Sequence, residues 1–358
     1  MSNFKLLIVE DSQKEIDENF LPTLFRFNKQ KQVEIEHETA LTLHDAMEKL
    51  DGTYDGVTLD LKLVRPDGSG NDSGNDAIRE IHAKYRIPIA VVTATPLDVS
   101  DEFSPFVEVF LRDDGFDAPL EYLLHIYSTG LTKIMGGRGK IETAMDQIFW
   151  NNIIPHINSW TAHAQVENIE GVFLRYVVSH IHELLEDDGH ALPQEMYVSP
   201  PISSTLRTGS ILKKKNVEEY AVVLTPPCDL VIRGNGECKT DKILICDIQD
   251  FEELKKSALD GITNATKRIN RLEKILKNNE SDYYHWLPKS SVFVGGVVNF
   301  RWISSLSKHD INELYEVPAV QITSPFIKDL LSRFSGYYAR QGQPDFDVKK
   351  LAEEMEQE

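Results

Sequence analysis

The sequence predicts an α/β protein that begins with a doubly wound parallel sheet, and three short apolar runs carry this prediction. Continuous apolar runs of this length are typical of strands that are buried on both faces of a parallel sheet. Each run ends in polar side chains, which should therefore meet at the carboxyl edge of the sheet, where open α/β sheets bind ligands. The runs and their terminal residues are 4–9 with Glu10 and Asp11, 55–60 with Asp60, and 88–92 with Thr93.

The acidic residues at this edge predict a magnesium site. Carboxylates that converge there repel each other by up to about 4 kcal/mol per close pair at intermediate dielectric. A divalent cation relieves this repulsion, and hard oxygen ligands favour Mg²⁺. We expect Glu10, Asp11 and Asp60 to be its ligands. The alternative is that Glu10 and Asp11 only start a helix, since acids favour the first turn.

An acid pair, a lone aspartate and a Thr-Ala pair on successive strands resemble the receiver domain of two-component response regulators. The resemblance covers residues 1–120, about a third of the chain. It implies a flavodoxin-like, five-stranded parallel fold in which Asp60 accepts a phosphoryl group. It also implies that Glu10 and Asp11 hold Mg²⁺ and that the hydroxyl of Thr93 closes over the phosphate.

The sequence departs from this family at the end of the fifth predicted strand. Receivers usually carry a lysine there that pairs with the phosphate, whereas residues 107–111 run into Arg112. Arginine supplies positive charge but in a planar fork, so the domain is either a phosphorylated receiver or a pseudo-receiver. Phe110 is the candidate for the aromatic switch residue. The Gly-, Ser- and Asn-rich segment 61–75 is predicted to be a loop that serves as a lid, a docking surface or an insertion.

Residues 121–194 are predicted to be a helical connector. Apolar residues recur at helical spacing in residues 141–154 and again in 171–185. Such faces pack against a neighbouring domain or form a dimerisation surface. We therefore expect a homodimer.

Residues 195–345 are predicted to be an α+β effector domain with a small curled sheet or barrel, because short strands and turn residues dominate. The Gly-containing strand 205–212, followed by Val-Val-Leu-Thr-Pro at 222–226, weakly resembles the SH3-like barrel of MazF/PemK-type toxins, which cut RNA. The basic residue that those nucleases carry before the Val-Val-Leu strand is replaced by Glu218 and Glu219. The resemblance thus implies a similar fold and leaves ribonuclease activity doubtful. Residues 346–358 form an acidic tail.

Cys228 and Asp229 are the most distinctive pair in this half. A thiol beside a carboxylate is a candidate nucleophile or metal ligand, but a neighbouring acid raises the pKa of a thiol and opposes activation. The alternative is a buried structural cysteine at a strand end, with Asp229 capping a turn.

Charge is distributed unevenly along the chain, whose formal net charge is −19. Residues 1–194 contain 33 acidic and 16 basic residues, a balance of −17, and residues 195–358 contain 24 and 22, a balance of −2. The first half should repel nucleic acid, whereas the second neither requires nor excludes it. Within the second half, a basic stripe at helical spacing is either a solvated helix face or a phosphate contact; it comprises Lys267, Arg268, Arg271, Lys274 and Lys277.

The composition also predicts a cytoplasmic protein. Three sparse cysteines argue against a disulfide framework, no apolar stretch is long enough to span a membrane, and the chain opens on a strand instead of a signal peptide.

The leading hypothesis is a response regulator of a bacterial phosphorelay, a phosphoprotein that receives its phosphoryl group from a sensor histidine kinase or a phosphotransfer protein. It would be a phosphoacceptor and not a turnover enzyme. One alternative is a nuclease-like effector that acts on RNA and is gated by a pseudo-receiver. Another is a scaffold that only binds partners.

Overall fold

The chain divides into two structural units, Met1–Asp187 and Asp188–Glu358. The computed structural model describes residues 4–63, 73–163, 168–184, 189–203, 205–232, 238–340 and 345–357.

The first unit is built on a five-stranded parallel sheet in the order β2-β1-β3-β4-β5. This order confirms the doubly wound α/β fold that the sequence predicts. The strands β1 to β5 are Phe4–Val9, Ile35–Ala40, Gly56–Leu59, Ile89–Thr93 and Glu108–Leu111. The helices α1 to α5 are Gln13–Glu15, which continues through the π-helical turn Ile16–Phe20 into Leu21–Lys31, then Leu43–Lys49, Ser73–Lys84 and Asp117–Ser128.

Both faces of this sheet are covered, which explains the unbroken apolar runs. In β1, Leu7 and Val9 point into a core with α3 and α4, whereas Leu6 and Ile8 point into a second core with the π-helical turn, α2 and α5. All four side chains are 0–1% exposed. Burying each one contributes roughly 1.5–3 kcal/mol, so the polar residues at the strand end are held in position by a rigid strand.

A buried carboxylate joins the opposite, amino-terminal edge of the sheet to the helices that follow α5. Asp55 precedes β3 and is 3% exposed. It accepts hydrogen bonds from the backbone N–H of Lys5 at 3.0 Å, from Thr132 Oγ1 at 2.7 Å and from Arg138 Nη2 at 2.6 Å. We call these contacts the Asp55 clasp. They join residues 131–138 to the amino-terminal edge of the sheet, which is the edge opposite Glu10 and Asp60.

Close backbone contact reinforces the clasp. The N–H of Gly137 donates to the carbonyl of Gly52 at 2.9 Å. A Cβ at Gly137 would lie 2.4 Å from that carbonyl oxygen, so only glycine allows this approach.

The helices of the predicted connector fall within the first unit. They are α6 to α9, Leu131–Met135, Lys140–Gln147, Ile157–Thr161 and Ile169–His182, with a π-helical turn Ile148–Ile153 and a 3₁₀ turn Ile154–His156 between α7 and α8. Several large apolar side chains here are exposed, and α9 has no buried residue. The predicted boundary at residue 120 stays a prediction.

The second unit contains a curled, half-barrel antiparallel sheet of seven strands in the order β10-β11-β9-β8-β7-β12-β6. It confirms the predicted α+β fold. The strands β6 to β12 are Tyr197–Val198, Ser210–Lys213, Tyr220–Val223, Ile243–Gln249, Tyr284–Leu287, Gly296–Leu306 and Val320–Ile322. The helices α10 to α15 are Pro227–Leu230, Phe251–Leu259, Ala265–Leu276, Lys308–Leu314, Ser324–Tyr338 and Val348–Glu356.

Within the part of the chain that the structure describes, no helix has the length and apolar character needed to cross a membrane.

The Asp55 clasp should be a stability determinant. Replacing Asp55 with Ala leaves the buried hydroxyl of Thr132 and the N–H of Lys5 without their acceptor, so we expect a loss of about 2–4 kcal/mol in the free energy of unfolding. Urea denaturation measures this loss, and hydrogen exchange should speed up in residues 131–139. Asp51→Ala, which removes an exposed carboxylate from the preceding loop, should cost less than about 1 kcal/mol. Equal losses in the two variants would contradict the assignment.

Candidate functional site

The predicted acidic residues lie side by side because the parallel backbone ladder continues past the ends of the strands. Val9 of β1 is in register with Leu59 of β3. The N–H of Asp60 then donates to the carbonyl of Val9 at 2.9 Å, and the N–H of Glu10 donates to the carbonyl of Ala40 at 3.0 Å. The two acids therefore leave neighbouring strands at the same level.

Glu10, Asp11 and Asp60 form a compact cluster. One carboxylate oxygen from each lies within 4.8 Å of the other two. Glu10 and Asp60 are 6% and 5% exposed, and Asp11 is half-buried. Burial raises the pKa of Glu10 to about 7, with Arg112 opposing the shift and the negative charges of Asp60 and Asp11 adding to it. Such a cluster is costly unless a cation neutralises it.

Arg112 supplies a positive charge at this point. It begins the 3₁₀ turn Arg112–Asp114 directly after β5. Its Nη2 lies 2.8 Å from Glu10 Oε2 and 2.7 Å from Asp60 Oδ2. Burial opposes the guanidinium charge, but Asp60 and Glu10 outweigh it and raise the pKa of Arg112. The structure thus brings the predicted arginine to the site and pairs it with two acids at once.

The acid pair does not form the first turn of α1. Ser12 is the N-cap, and its Oγ accepts from the N–H of Glu15 at 3.2 Å. The N–H of Ser12 donates to Glu10 Oε1 at 3.2 Å, which fixes the second oxygen of Glu10. Glu10 and Asp11 therefore precede the helix, and the acid in its first turn is Glu15.

Thr93 is fully buried at the end of β4, the strand beside β3. Its Oγ1 accepts from the N–H of Thr95 at 3.2 Å. The hydroxyl therefore lies at the carboxyl edge, as predicted, and is engaged by its own chain.

Phe110, the candidate switch residue, lies on the opposite face of the sheet from Thr93. It is in register with Val92 and packs on the α5 face of the sheet, where its ring lies 5.8 Å from that of Tyr122. Alternation along β5 puts Val109 on the other face. Because Val91 pairs with Val109, the same alternation places Thr93 on the side of Val109.

The donor set suits a hard divalent cation. Three carboxylates whose oxygens lie within 4.8 Å of one another offer the ligand type that Mg²⁺ prefers.

The loop prediction for 61–75 falls partly outside the described residues. Its described ends are anchored, because the N–H of Gly74 donates to the carbonyl of Leu61 at 3.1 Å.

In the second unit, Cys228 is exposed, so the alternative of a buried structural cysteine is wrong. Its Sγ lies 3.7 Å from Asp229 Oδ1. Asp229 pairs with Lys239 Nζ at 2.9 Å, and this hydrogen bond lowers the pKa of Asp229. Among the described residues, Cys228 does not belong to any group of three converging His, Cys, Asp or Glu side chains of the kind that Glu10, Asp11 and Asp60 form.

His285 is a buried titratable group that sequence reasoning missed. It is 2% exposed, and its Nδ1 has no hydrogen-bond partner in the described part of the chain. Burial, with a smaller effect from Arg333, lowers its pKa to about 3, so the ring is neutral. A single histidine in β10 gives no sequence signal for this burial.

The sequence matches no protein-family model and no curated protein. Solved structures that are similar to the N-terminal third of this chain include receiver domains of response regulators. The receiver domain (CheY-like) from Methylobacillus flagellatus is 22% identical, with a TM-score of 0.27 over 35% of this chain and 98% of that one. A response regulator of Thermotoga maritima in complex with Mg²⁺-BeF is 24% identical, with a TM-score of 0.26 over 34% of this chain and 98% of that one.

A third solved structure extends this set. The N-terminal domain of a response regulator/sensory box/GGDEF 3-domain protein from Carboxydothermus hydrogenoformans is 24% identical, with a TM-score of 0.27 over 36% of this chain and 98% of that one. These likenesses concern the fold of the N-terminal third.

The raised pKa of Glu10 predicts a pH-dependent stability. A carboxyl group whose folded pKa exceeds its unfolded value of 4.5 stabilises the fold below pH 4.5, and this contribution is lost as the pH rises through 7. Without metal, Glu10→Gln should therefore gain in melting temperature relative to the wild type between pH 5 and 8. Calorimetry in EDTA measures the difference. Glu18→Gln, which removes an exposed carboxylate from the nearby π-helical turn, is the control, and a difference for Glu10→Gln that does not change with pH would contradict the prediction.

Proposed function

We propose that the chain is a response regulator that accepts a phosphoryl group on Asp60. The observation that supports this most is the convergence of Glu10, Asp11 and Asp60 with Arg112 at the carboxyl edge of a parallel sheet in the order β2-β1-β3-β4-β5. A nearly buried carboxylate with a cation at hand is suited to act as a nucleophile towards phosphorus.

The proposed reaction is a phosphoryl transfer. An oxygen of Asp60 forms a bond to the donor's phosphorus, while the phosphorus–donor bond breaks and its electron pair leaves with the donor. Glu10, Asp11 and Asp60 would hold Mg²⁺, which supplies positive charge to the phosphoryl oxygens. Arg112 would pair with the transferred group, and the Thr93 hydroxyl would turn from Thr95 to donate to it.

The donor would be a sensor histidine kinase or a phosphotransfer protein, and the compartment would be the cytoplasm. The phosphoryl group adds nearly two negative charges and new acceptor oxygens beside Arg112 and Thr93. A change at these residues would then be passed to the second unit, which acts as the effector.

The nuclease alternative receives less support from the second unit. Glu218 and Glu219, which stand where the toxin nucleases have a basic residue, pair with Lys213 and Lys214 at 2.6 and 2.8 Å. The basic stripe on α12 is also partly used internally. Arg268 donates to the carbonyl of Ile262 at 2.9 Å, and Arg271 pairs with Glu280.

A homodimer would form through the connector helices. Phe149, Trp150, Leu174 and Val178 are 46–65% exposed, and they are the apolar side chains that the dimer would cover. Helix α9 is apolar on average and has no buried residue, whereas such a helix is normally covered. The four side chains are uncharged, so a second copy of the chain can cover them without charge repulsion between the contacting residues.

The phosphoacceptor is tested by mass. With Mg²⁺ and acetyl phosphate, the full-length protein should gain one phosphoryl group, and Asp60→Asn should gain none because it lacks the nucleophile. Asp11→Asn should react more slowly through loss of a metal ligand. Asp113→Asn, which changes an acid in the nearby turn, should react like the wild type. Persistent modification of Asp60→Asn would show that another residue is the acceptor.

The dimer is tested by sedimentation at micromolar concentration. The wild type should sediment as a dimer, and Leu174→Glu should sediment as a monomer because a charge in the covered face is not solvated. Leu97→Glu introduces the same change at a leucine that is 98% exposed elsewhere in the first unit and should leave the dimer intact. A monomeric wild type would rule out the dimer.

A further inference from the structure

We propose that Arg112 is an internal counterion that competes with the divalent cation for Glu10 and Asp60. It must leave these carboxylates before the metal can use the same oxygens. This inference rests on the metal site of the proposed function and adds a regulatory element to it.

The distances make the two cations mutually exclusive on these oxygens. Nη2 of Arg112 lies 2.8 Å from Glu10 Oε2 and 2.7 Å from Asp60 Oδ2. A magnesium ion binds oxygen at about 2.0–2.1 Å. An ion that approached both oxygens from the same side would overlap the guanidinium, and the two positive charges would repel strongly at that separation.

The exposure of the three side chains allows Arg112 to leave the two carboxylates. The side chain of Arg112 is 25% exposed, whereas those of Glu10 and Asp60 are 8% and 4% exposed. Arg112 therefore borders solvent above nearly buried acids. Its side chain can turn towards water without unpacking the core formed by the strands.

The guanidinium group of Arg112 also uses only part of its hydrogen-bonding capacity on the two acids. Both ion pairs use the same nitrogen, Nη2, and the buried Nε has no hydrogen-bond partner in the described part of the chain. A bidentate arginine–carboxylate pair uses two parallel N–H donors and is held more firmly. A pairing through one nitrogen is therefore displaceable, which suits a counterion that gives way to a metal.

The full-length protein tests this by calorimetric titration with MgCl₂. Arg112→Gln, which removes the charge and keeps most of the volume, should bind Mg²⁺ at least about tenfold more tightly than the wild type, because one competing charge is gone. Arg112→Ala provides a second neutral variant, and circular dichroism checks both folds.

The matched control is Arg138→Gln. Arg138 also pairs with a nearly buried aspartate, Asp55, at 2.6 Å, but at the opposite edge of the sheet. Its loss should leave the Mg²⁺ affinity unchanged. In melting experiments without metal, Arg112→Gln should be less stable than the wild type, and Mg²⁺ should raise its melting temperature by more than that of the wild type.

Equal or weaker Mg²⁺ binding by the neutral Arg112 variants would overturn the inference, as would an equal gain in Arg138→Gln. The outcome is separable from that of the proposed function. Tighter Mg²⁺ binding in Arg112→Gln combined with no phosphorylation of the wild type would retain the counterion and reject the phosphoacceptor. The opposite pattern would reject the counterion alone.

Discussion

The first unit depends on one electrostatic constraint: two nearly buried carboxylates are held side by side by the register of β1 and β3. The backbone fixes Glu10 and Asp60 at adjacent strand ends, and apolar cores on both faces prevent the strands from shifting. Because the acids cannot move apart, a cation must come to them. Arg112 meets this need in the structure, and the same requirement makes the cluster suitable for a divalent ion.

Much of this arrangement could be predicted from the sequence, since it follows from where apolar runs stop. The ends of the apolar runs predict the carboxyl edge of the sheet and the residues that lie there, namely the acids, Thr93 and Arg112. The contacts of Arg112 with two acids could not be predicted, because they depend on the course of a long side chain. The face of the sheet on which Phe110 lies depends on the register between β4 and β5, in which Phe110 pairs with Val92. The sequence does not show this register. The partners of Asp55 were also hidden, since Thr132 and Arg138 lie far along the chain.

Strand β3 links the two edges of the sheet. Asp55 precedes it and Asp60 follows it, so one short buried strand lies between the Asp55 clasp and the acidic cluster. Residues 131–138, which include α6, are joined to Asp55 at the amino-terminal edge of the sheet, whereas the acidic cluster lies at the carboxyl edge. A change at Asp60 would therefore reach these residues through the sheet or around it by α5, and not by direct contact at the carboxyl edge.

The two aspartates differ in how completely their charge is satisfied. Asp55 receives a backbone N–H, a hydroxyl and a guanidinium, and donors of all three kinds leave little reason to bind anything else. Asp60 shares Nη2 of Arg112 with Glu10 and has two further acids within 4.8 Å. A buried charge that is fully paired stabilises a fixed contact. A buried charge that shares a single donor with its neighbours is stabilised further when a stronger cation replaces that donor. This difference identifies Asp55 as a structural residue and supports the proposal that Asp60 is the phosphoacceptor.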